Sequence, residues 1–383
     1  MRHMRRVSWA LALVGCEVDE GGWEQALPDI VARSRYVDLR VDVESSTVCM
    51  EDKLAEIDRF IEETAAFLGV PVPAQRIGFV IAPVEGRTRE NWPCTEIASS
   101  CYVQGTSGGF VFDEPSDVGM GKLTRADYHE FVHAVDIPAN GRTHWVLEEG
   151  LATYLGNDGS AEGILGPFPA ALVESLRMTS PTNYGVAMQF VGSLIEAHGM
   201  ARFDEFRRGL APSAAAEEVI AAFELVYGED FDEALAALST TAIRGRRADV
   251  TCEGEAVLWS GEPPLRANLT AACGDGWFYG GLGFGLINPS PDDSPGVYAK
   301  PYLVEVPETA IYNLAIIAPD LRAFGRLRAC GDTPGDGSVV SYEGHGSSAV
   351  LEAGTYELFV AFPEGAATDV SVTLTYQGPP PSP

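Results

Sequence analysis

The sequence predicts an α+β protein in which a mixed region of strands and helices is followed by an all-β region. Up to about residue 245, short strand patterns give way to long segments with helical periodicity. Beyond Arg247, the helical spacing stops, and short alternating runs are separated by Gly, Pro and Asp. The chain has 383 residues, more than one hydrophobic core usually serves, which indicates two domains.

The first residues have the features of an export signal. Residues 1–6 are basic, and residues 7–15 form a mostly apolar run that is too short to span a bilayer. Residues 13–16 resemble a bacterial lipobox. This resemblance implies that residues 1–15 are a lipoprotein signal peptide and that Cys16 becomes a lipid-modified N-terminus, anchored in the cell envelope toward the periplasm or the surface. The alternative is an ordinary secretory peptide cut nearby.

After the signal peptide, the chain begins with a region in which strand and helix patterns alternate. Residues 16–34 lack a clear period and are predicted to form a tether, and the first domain is expected over residues 35–245. Apolar residues at helical spacing predict one helix from Met50 to Leu68, which Gly and Pro signals end. Short alternating runs are typical of half-buried strands. The predicted strands are residues 36–43, 76–81, 101–103 and 109–112.

The second half of this domain is predicted to be a helical lobe. One helix runs from Leu123 to about Val135 and is expected to end before Pro138. The next helix covers residues 145–155. Residues 156–168 are rich in glycine and small residues and are expected to form a loop. The further predicted helices are residues 168–178, 184–198, 201–210, 213–227 and 230–239.

The predicted helix from Leu123 to about Val135 carries a motif that is typical of metal binding. His129 and His133 are four residues apart, so on a helix both imidazoles project from one face and reach a single metal ion. Two histidines and one carboxylate bind zinc and leave a fourth position open for water, whose pKa the ion lowers. Glu130 adjoins the first histidine, where it is placed to take the proton of that water and pass it to the leaving amine.

The third ligand is expected to be a carboxylate on the following helix. We favour Glu149 over Glu148, because Gly150 removes a Cβ where two helices approach closely and residues 145–147 supply an apolar anchor. The alternative is a helix that carries a buried, merely structural histidine pair. A second motif at a helix-length distance favours the metal site, with one Zn²⁺ ion as the expected cofactor.

The pairing of these two motifs resembles the gluzincin group of zinc peptidases. The resemblance covers about residues 35–240 and is most specific at the two motifs. It implies a gluzincin-like catalytic domain with a small mixed sheet and a helical lobe, acting on a peptide or protein substrate. It also implies that His129, His133 and Glu149 bind the zinc ion and that Glu130 is the general base.

The resemblance implies two further features of the site. Related enzymes often stabilise the oxyanion with a tyrosine or histidine from the later lobe, and Tyr184 is favoured over Tyr154, His144 and His198. In these enzymes an edge strand beside the zinc binds extended peptide by main-chain hydrogen bonds. Residues 109–112 are the candidate for that strand, and a plain hairpin is the alternative.

The chain departs from related patterns at several positions. The Gly-x-Met-x-Asn string of the large aminopeptidases is absent, so the sequence does not support exopeptidase action. Ala139 stands where a metzincin has its third histidine. Thr153 stands one turn beyond Glu149, where thermolysin-like sites have an acidic residue that supports a histidine.

The cysteines agree with export. Besides the candidate lipidation site, six cysteines remain, an even set that is compatible with three disulfides in an oxidising compartment. The absence of a Cys-x-x-Cys pair disfavours a structural zinc cluster. Short spacings favour pairing Cys94 with Cys101 and Cys252 with Cys273, which leaves Cys49 and Cys330.

The charge limits the classes of partner. With 26 basic and 55 acidic residues, the formal net charge is −29, which excludes nucleic-acid binding and electrostatic attachment to anionic lipid. No stretch outside the leader approaches 18 consecutive apolar residues, so the sequence predicts no transmembrane helix.

Residues 246–377 are predicted to form an all-β sandwich, because short strands recur between turn signals. Parts of this region resemble the small sandwich modules that often follow secreted bacterial peptidases, with a role in binding or as a spacer. Residues 378–383 are proline-rich and predicted to be a disordered tail. The predicted strands are residues 256–259, 277–279, 297–299, 302–306, 311–317, 338–342, 355–361 and 369–376.

The sequence therefore predicts an exported, membrane-anchored zinc metallopeptidase. Two alternatives belong to other classes. One is a catalytically inactive peptidase fold that serves as a surface binding module, and the other is a zinc hydrolase that acts on bonds other than peptides. The intact Glu130 speaks against the binding module, since a protein that only binds has no need of the base.

Overall fold

The protein is a mixed α/β structure. The computed structural model describes residues 23–41, 50–81, 93–94, 100–113, 125–156, 168–178, 183–238, 243, 245–246, 255–258, 264–271, 279–280, 297–317, 324–330, 338–342, 345–346, 348–363 and 368–379. Within these ranges it contains eight α-helices and three β-sheets. None of the helices in these ranges is both long enough and apolar enough to cross a bilayer.

The first part of the chain holds one sheet and all the described α-helices. Its elements are a 3-10 helix (Trp23–Ala26), β1 (Ile30–Arg33), β2 (Val37–Val41), α1 (Met50–Leu68), β3 (Ile77–Ile81), β4 (Ser100–Gln104), β5 (Gly109–Asp113), α2 (Arg125–Asn140), α3 (Trp145–Gly156), α4 (Phe168–Arg177), α5 (Tyr184–His198), α6 (Met200–Arg207), α7 (Ala216–Tyr227) and α8 (Phe231–Leu238).

The second part consists of strands among the described residues. These are β6 (Glu255–Ala256), β7 (Leu265–Ala271), β8 (Tyr279–Gly280), β9 (Val297–Val306), β10 (Ala310–Ile317), β11 (Phe324–Ala329), β12 (Ser338–Tyr342), β13 (His345–Gly346), β14 (Ser348–Leu351), β15 (Gly354–Pro363) and β16 (Thr368–Gly378).

The first sheet is mixed, in the order β1-β2-β3-β5-β4. Its three inner strands are parallel, and β1 and β4 run antiparallel to their neighbours at the two edges. The expectation that residues 109–112 form an edge strand is wrong, because β5 pairs with β3 on one side and β4 on the other. A tight turn, in which Gly105 N–H donates to Gly108 O at 2.8 Å, folds β4 onto the outer side of β5.

Alternate residues of this sheet face two separate apolar clusters. Phe79 and Val111 join the large core that the helices cover. Phe110 and Phe112 point to the opposite face, where their ring centroids lie 5.1 and 5.5 Å from that of Trp23. The side-chain period of two in a strand therefore separates the helix side of the sheet from the side that the N-terminal segment covers.

The N-terminal segment differs from the tether that the sequence predicted. The described part of residues 16–34 contains a 3-10 helix and β1. Glu24 accepts hydrogen bonds from the hydroxyls of Thr106 and Ser107 at 2.8 and 3.2 Å, which fixes the segment to the β4–β5 turn. Elements of four residues are too short to show a sequence period, so the pattern could not reveal them.

The α2 helix packs against the sheet and α1 through aromatic residues. The Phe131 ring lies 5.3 Å from Phe79 on β3, edge to face, and the Tyr128 ring lies 4.8 Å from Phe60 on α1. The helix continues to Asn140, beyond the end that the sequence predicted at Pro138. Pro138 is exposed in the last turn and has no N–H to donate to the carbonyl four residues earlier, so this turn forms with one backbone hydrogen bond fewer.

A buried ion pair joins the end of α2 to α6. The Arg207 guanidinium donates to both carboxylate oxygens of Asp136, at 2.5 and 2.7 Å, and to Asp204 at 2.7 Å. Burial alone would lower the pKa of Arg207, but these carboxylates raise it. Removing one partner would leave a buried charge without compensation, so the pair fixes the two helices together.

Helix α3 approaches α5 at Gly150. A Cβ at this position would lie 2.5 Å from the Ala187 carbonyl oxygen and 2.6 Å from the Val191 Cγ2 atom. Both distances are below contact distance, so only glycine fits while α5 keeps its place.

The two later sheets contribute to one apolar core. Their strand orders are β14-β10-β16-β7 and β13-β12-β11-β15-β9-β6, with β8 also paired to β9. The core includes Leu314 and Val372 from the sheet that contains β10 and β16, and Val304 and Leu358 from the sheet that contains β9 and β15. Strand β10 shows the expected alternation, with buried residues at every second position from Ala310 to Ile316.

Strand β9 joins two runs that the sequence predicted as separate strands. It continues through Pro301, which pairs with Phe359 of β15. On the other side, β8 pairs as far as Ala299 and β6 pairs from Tyr302. Among the described residues, Pro301 has no ladder partner on this second side, where its missing N–H is tolerated.

Gly150→Ala should destabilise the first part of the protein by about 1–3 kcal/mol, the range for overpacking a well-packed core. The better helix propensity of alanine, worth about 1 kcal/mol, offsets only part of the clash. Gly209→Ala is the matched control, because nothing lies within 4 Å of a Cβ at that position. Urea unfolding followed by far-ultraviolet circular dichroism measures both. Equal midpoints for the two variants would contradict the close approach.

Candidate metal centre

The α2 and α3 helices bring three ligand atoms together. His129 Nε2 lies 2.8 Å from Glu149 Oε2 and 3.1 Å from His133 Nε2, and His133 Nε2 lies 3.5 Å from the same Glu149 oxygen. These residues can hold a metal ion, and among the described residues they are the group with this geometry. The structure thus brings together the three residues that the sequence proposed as ligands.

The spacing of the trio fits a four-coordinate ion. Bonds of about 2.0–2.1 Å in a tetrahedron place ligand atoms about 3.3–3.4 Å apart. Two of the observed separations, 3.1 and 3.5 Å, lie within a few tenths of an ångström of this ligand–ligand distance. The third, 2.8 Å between His129 and Glu149, is shorter. Little movement of the side chains is needed for all three to reach one ion.

The backbone of α3 lies against α2 at the first ligand. A Cβ on Gly156, the last residue of α3, would lie 2.6 Å from the backbone nitrogen of His129. At the start of α3, Trp145 Nε1–H donates to the Met178 carbonyl at 2.8 Å and anchors the helix to the end of α4. The contact of Gly156 with α2 and the hydrogen bond of Trp145 with the end of α4 fix the position of α3 along its axis. They thereby place Glu149 opposite the two histidines.

The electrostatics of the trio favour a cation. Burial alone would raise the pKa of Glu149, but the positive charge of His133 and the hydrogen bond with His129 outweigh burial and hold it well below its usual range. For His133, burial alone would lower the pKa, but Glu149 raises it to about 9. The anionic carboxylate draws a positive charge to this position.

The neighbouring carboxylate serves a different purpose. Glu148 is buried and accepts hydrogen bonds from Arg142 Nη1 at 2.9 Å and from the backbone N–H of Thr143 at 3.2 Å. Burial raises its pKa. Glu148 therefore fixes the turn between α2 and α3, whereas Glu149 points to the histidines.

Glu130 lies on α2 beside the trio and faces β4. It is buried, and Ser100 Oγ donates to its carboxylate at 3.4 Å. Burial raises the pKa of Glu130, while the two histidines and the Tyr102 backbone N–H act in the opposite direction. A carboxyl group in this setting can exchange a proton with a water molecule near the trio.

Tyr184 lies on the open side of the site. It is the first residue of α5, and its ring centroid is 5.6 Å from that of His129 in an edge-to-face arrangement. Asn183 caps α5 by accepting from Val186 N–H at 3.1 Å, which fixes the direction in which α5 begins. Tyr184 is 45% exposed, so part of the residue is open to solvent beside His129.

The other oxyanion candidates lie elsewhere in the protein. Tyr154 is buried in the core, and its hydroxyl is 3.4 Å from Glu196. His144 is buried before α3, and burial lowers its pKa to about 4. His198 is the last residue of α5, and its ring lies 4.7 Å from that of Tyr227.

Two hydroxyl groups contact the site, and the sequence drew attention to the position of only one of them, Thr153. The two groups are the Ser100 hydroxyl beside Glu130 and the Thr153 hydroxyl, which lies 3.3 Å from His129 Nδ1. Thr153 follows Glu149 by one helical turn, a spacing that places it near the site. Ser100 gave no signal, because its position depends on how β4 meets α2.

The cysteine predictions are answered in part. Cys94 and Cys101 form the expected disulfide, with their Cα atoms 5.8 Å apart. Cys330 is also disulfide-bonded. The candidate lipidation residue Cys16, the candidate pair Cys252 and Cys273, and residues 380–383 of the predicted tail lie outside the described residues.

Fold and site together define a mixed α/β protein with a candidate metal centre of two histidines and one glutamate. A comparison with known protein families and one with curated proteins found no match to the chain.

Glu149→Gln should weaken binding of Zn²⁺ by about a hundredfold or more, since one of three ligands loses its charge. Glu148→Gln is the matched control and should bind with nearly unchanged affinity, because its carboxylate faces Arg142. Competition with a chromophoric chelator measures both constants, and bound metal should raise the unfolding midpoint in the control only. A larger loss in the Glu148 variant would reverse the assignment.

Proposed function

We propose that the protein is a zinc-dependent peptidase that hydrolyses peptide bonds with Glu130 as the general base. The observation that carries the proposal is the convergence of His129, His133 and Glu149 on one point, with Glu130 beside it. Two histidines, one carboxylate and an adjoining glutamate form the set of groups that metal-assisted hydrolysis requires.

Zinc suits the donor set better than other common metals. Imidazole nitrogen and a single carboxylate are ligands of borderline softness, whereas Ca²⁺ and Mg²⁺ prefer six or more oxygens. When bound, zinc supplies a Lewis acid that activates water and polarises a carbonyl group. The fit of the trio to tetrahedral spacing supports this choice.

Glu130 provides the proton transfers. Its raised pKa brings the carboxyl group closer to neutral pH, where a base both accepts and releases a proton readily. The Ser100 hydroxyl and the Tyr102 backbone N–H hold its carboxylate on the side of β4. Glu130 takes a proton from water and then delivers it to the leaving amine.

Substrate binding is assigned to β4. Among the described strands, β4 is the edge of the first sheet next to β5, and its first residue contacts Glu130. An extended peptide can add to such an edge by main-chain hydrogen bonds, which places a peptide bond along the site without regard to sequence. The resemblance to gluzincins pointed to an edge strand, and β4 replaces the strand first chosen.

Tyr184 is assigned the role of oxyanion donor. Its ring lies against His129, the residue is partly exposed, and burial together with Glu149 and Glu130 raises the pKa of its hydroxyl, so it keeps its proton near neutral pH. A phenol that stays protonated can donate a hydrogen bond to the tetrahedral oxyanion.

The finer identity of the protein is part of the proposal. A gluzincin-type catalytic domain over residues 35–245 is supported by the two motifs and by the mixed sheet beside them. A C-terminal β-sandwich over residues 246–377 is supported by the core that two sheets share. Export and lipid anchoring at Cys16 rest on the leader sequence. The C-terminal module then serves as a binding unit or a spacer.

Glu130→Gln should reduce peptide hydrolysis by about 100- to 10,000-fold, because the amide cannot accept the proton of water. A peptide library incubated with the purified protein, with and without chelator, measures the activity. Glu217→Gln, an exposed glutamate at the start of α7, is the control and should match wild type.

The same assay separates the alternatives. Cleavage that persists both in Glu130→Gln and with chelator would refute the mechanism. A wild-type protein that binds zinc but cleaves no peptide would favour the binding module or a hydrolase for other bonds.

Tyr184→Phe should lower kcat by about a hundredfold and leave KM and zinc affinity nearly unchanged, since the donor acts in the transition state. Tyr154→Phe is the matched control, because it loses a buried hydroxyl that lies 3.4 Å from Glu196. Steady-state kinetics on one cleaved peptide measures both variants. An unchanged kcat in the Tyr184 variant would remove this residue from the reaction.

A further inference from the structure

The Thr153 hydroxyl contacts two of the three residues of the metal centre. Its Oγ1 atom lies 3.3 Å from Nδ1 of His129, and it donates a hydrogen bond to the Glu149 carbonyl at 2.7 Å. Both partners belong to the trio, yet Thr153 itself does not face the point on which the ligand atoms converge. The contacts reach the far nitrogen of the ring and the backbone of the glutamate.

The two contacts fix the direction of each hydrogen bond. A hydroxyl carries one hydrogen, and here the short bond to the Glu149 carbonyl uses it. The contact with His129 is then one in which the oxygen accepts, so Nδ1 carries the proton and donates. A neutral imidazole protonated on Nδ1 presents the lone pair of Nε2.

With a metal ion bound in place of the hydrogen bond to Glu149, this arrangement would direct the lone pair of Nε2 to the centre of the trio. Nε2 of His129 is the atom that lies 2.8 Å from Glu149 Oε2 and 3.1 Å from His133 Nε2. One hydroxyl thereby sets both the tautomer of the first ligand and its ring orientation. It does so from the helix that carries the third ligand, so the positions of the two ligands are coupled.

We propose that Thr153 is a positioning residue that presents His129 to the metal ion with a neutral hydroxyl. The inference rests on the proposed metal centre. A hydroxyl supports the ring without adding a second negative charge, so Glu149 remains the anionic member of the trio. The Thr153 hydroxyl is also tied to the α3 backbone, because it donates its hydrogen to the carbonyl of Glu149 one turn earlier.

Three substitutions test the proposal. Thr153→Val keeps the shape of the side chain and removes the acceptor, so the dissociation constant for Zn²⁺ should rise about tenfold or more. Thr153→Ser keeps the hydroxyl and should stay within about threefold of wild type. Thr143→Val is the control, because it removes a buried hydroxyl that bonds to the Arg207 carbonyl at 2.9 Å and does not touch the trio.

The readouts do not depend on catalysis. Chelator competition gives the affinity for Zn²⁺, and the visible absorption spectrum of Co²⁺ reports the ligand geometry, which should change in the valine variant only. Circular dichroism of the metal-free proteins checks folding, and Thr153→Ala replaces the valine variant if that one does not fold. Wild-type affinity in a folded variant without the hydroxyl overturns the inference.

The outcomes distinguish this inference from the proposed function. If wild type binds no zinc, the metal centre and the peptidase proposal both fail. If zinc binds and the valine variant binds it weakly, but no peptide is cleaved, the role of Thr153 stands and the peptidase proposal falls. If all variants bind equally and wild type cleaves peptides, the peptidase proposal stands without Thr153.

Discussion

The distance between α3 and its two neighbours is the constraint on which the metal centre depends. Gly150 lets α3 approach α5, and Gly156 lets it approach α2, each at a point where a methyl group would meet backbone atoms. His129, Glu149 and Tyr184 come from these three helices, and a ligand set tolerates misplacement of only about half an ångström. The two glycines therefore act on the site by setting the spacing of the helices that carry it, Gly150 against α5 and Gly156 against the backbone of His129.

Much of the fold could be predicted wherever a pattern was long. The helices Met50–Leu68 and Tyr184–His198 begin and end where the sequence predicted, because fifteen or more residues at helical spacing average out local exceptions. Strands β1, β7, β11, β13 and β14 were missed, since they are short or carry Arg, Asn or Ser and so resemble loops. The order of strands also could not be read, because pairing joins segments far apart in the chain.

The residues of the candidate site also differ in how far the sequence could predict them, depending on whether they lie on one helix or on separate elements. The spacing of His129 and His133 is a property of one helix, so the sequence contained it in full. Glu149 had to be inferred on the next helix, across a turn, and the adjacent Gly150 supported that choice. The geometry of the trio matches it. The contacts of Ser100 and Thr153 depend on how β4 and α3 meet α2, and no spacing along the chain encodes a contact between elements.

The aromatic cluster around Trp23 determines which side of the first sheet faces the start of the chain. Phe110 and Phe112 bind that segment on one face, while Val111, between them, belongs to the core beneath α2. The Trp23 segment is therefore joined to the face of the sheet opposite the core that the helices cover, and the strands of that sheet lie between this segment and the helices that carry the trio.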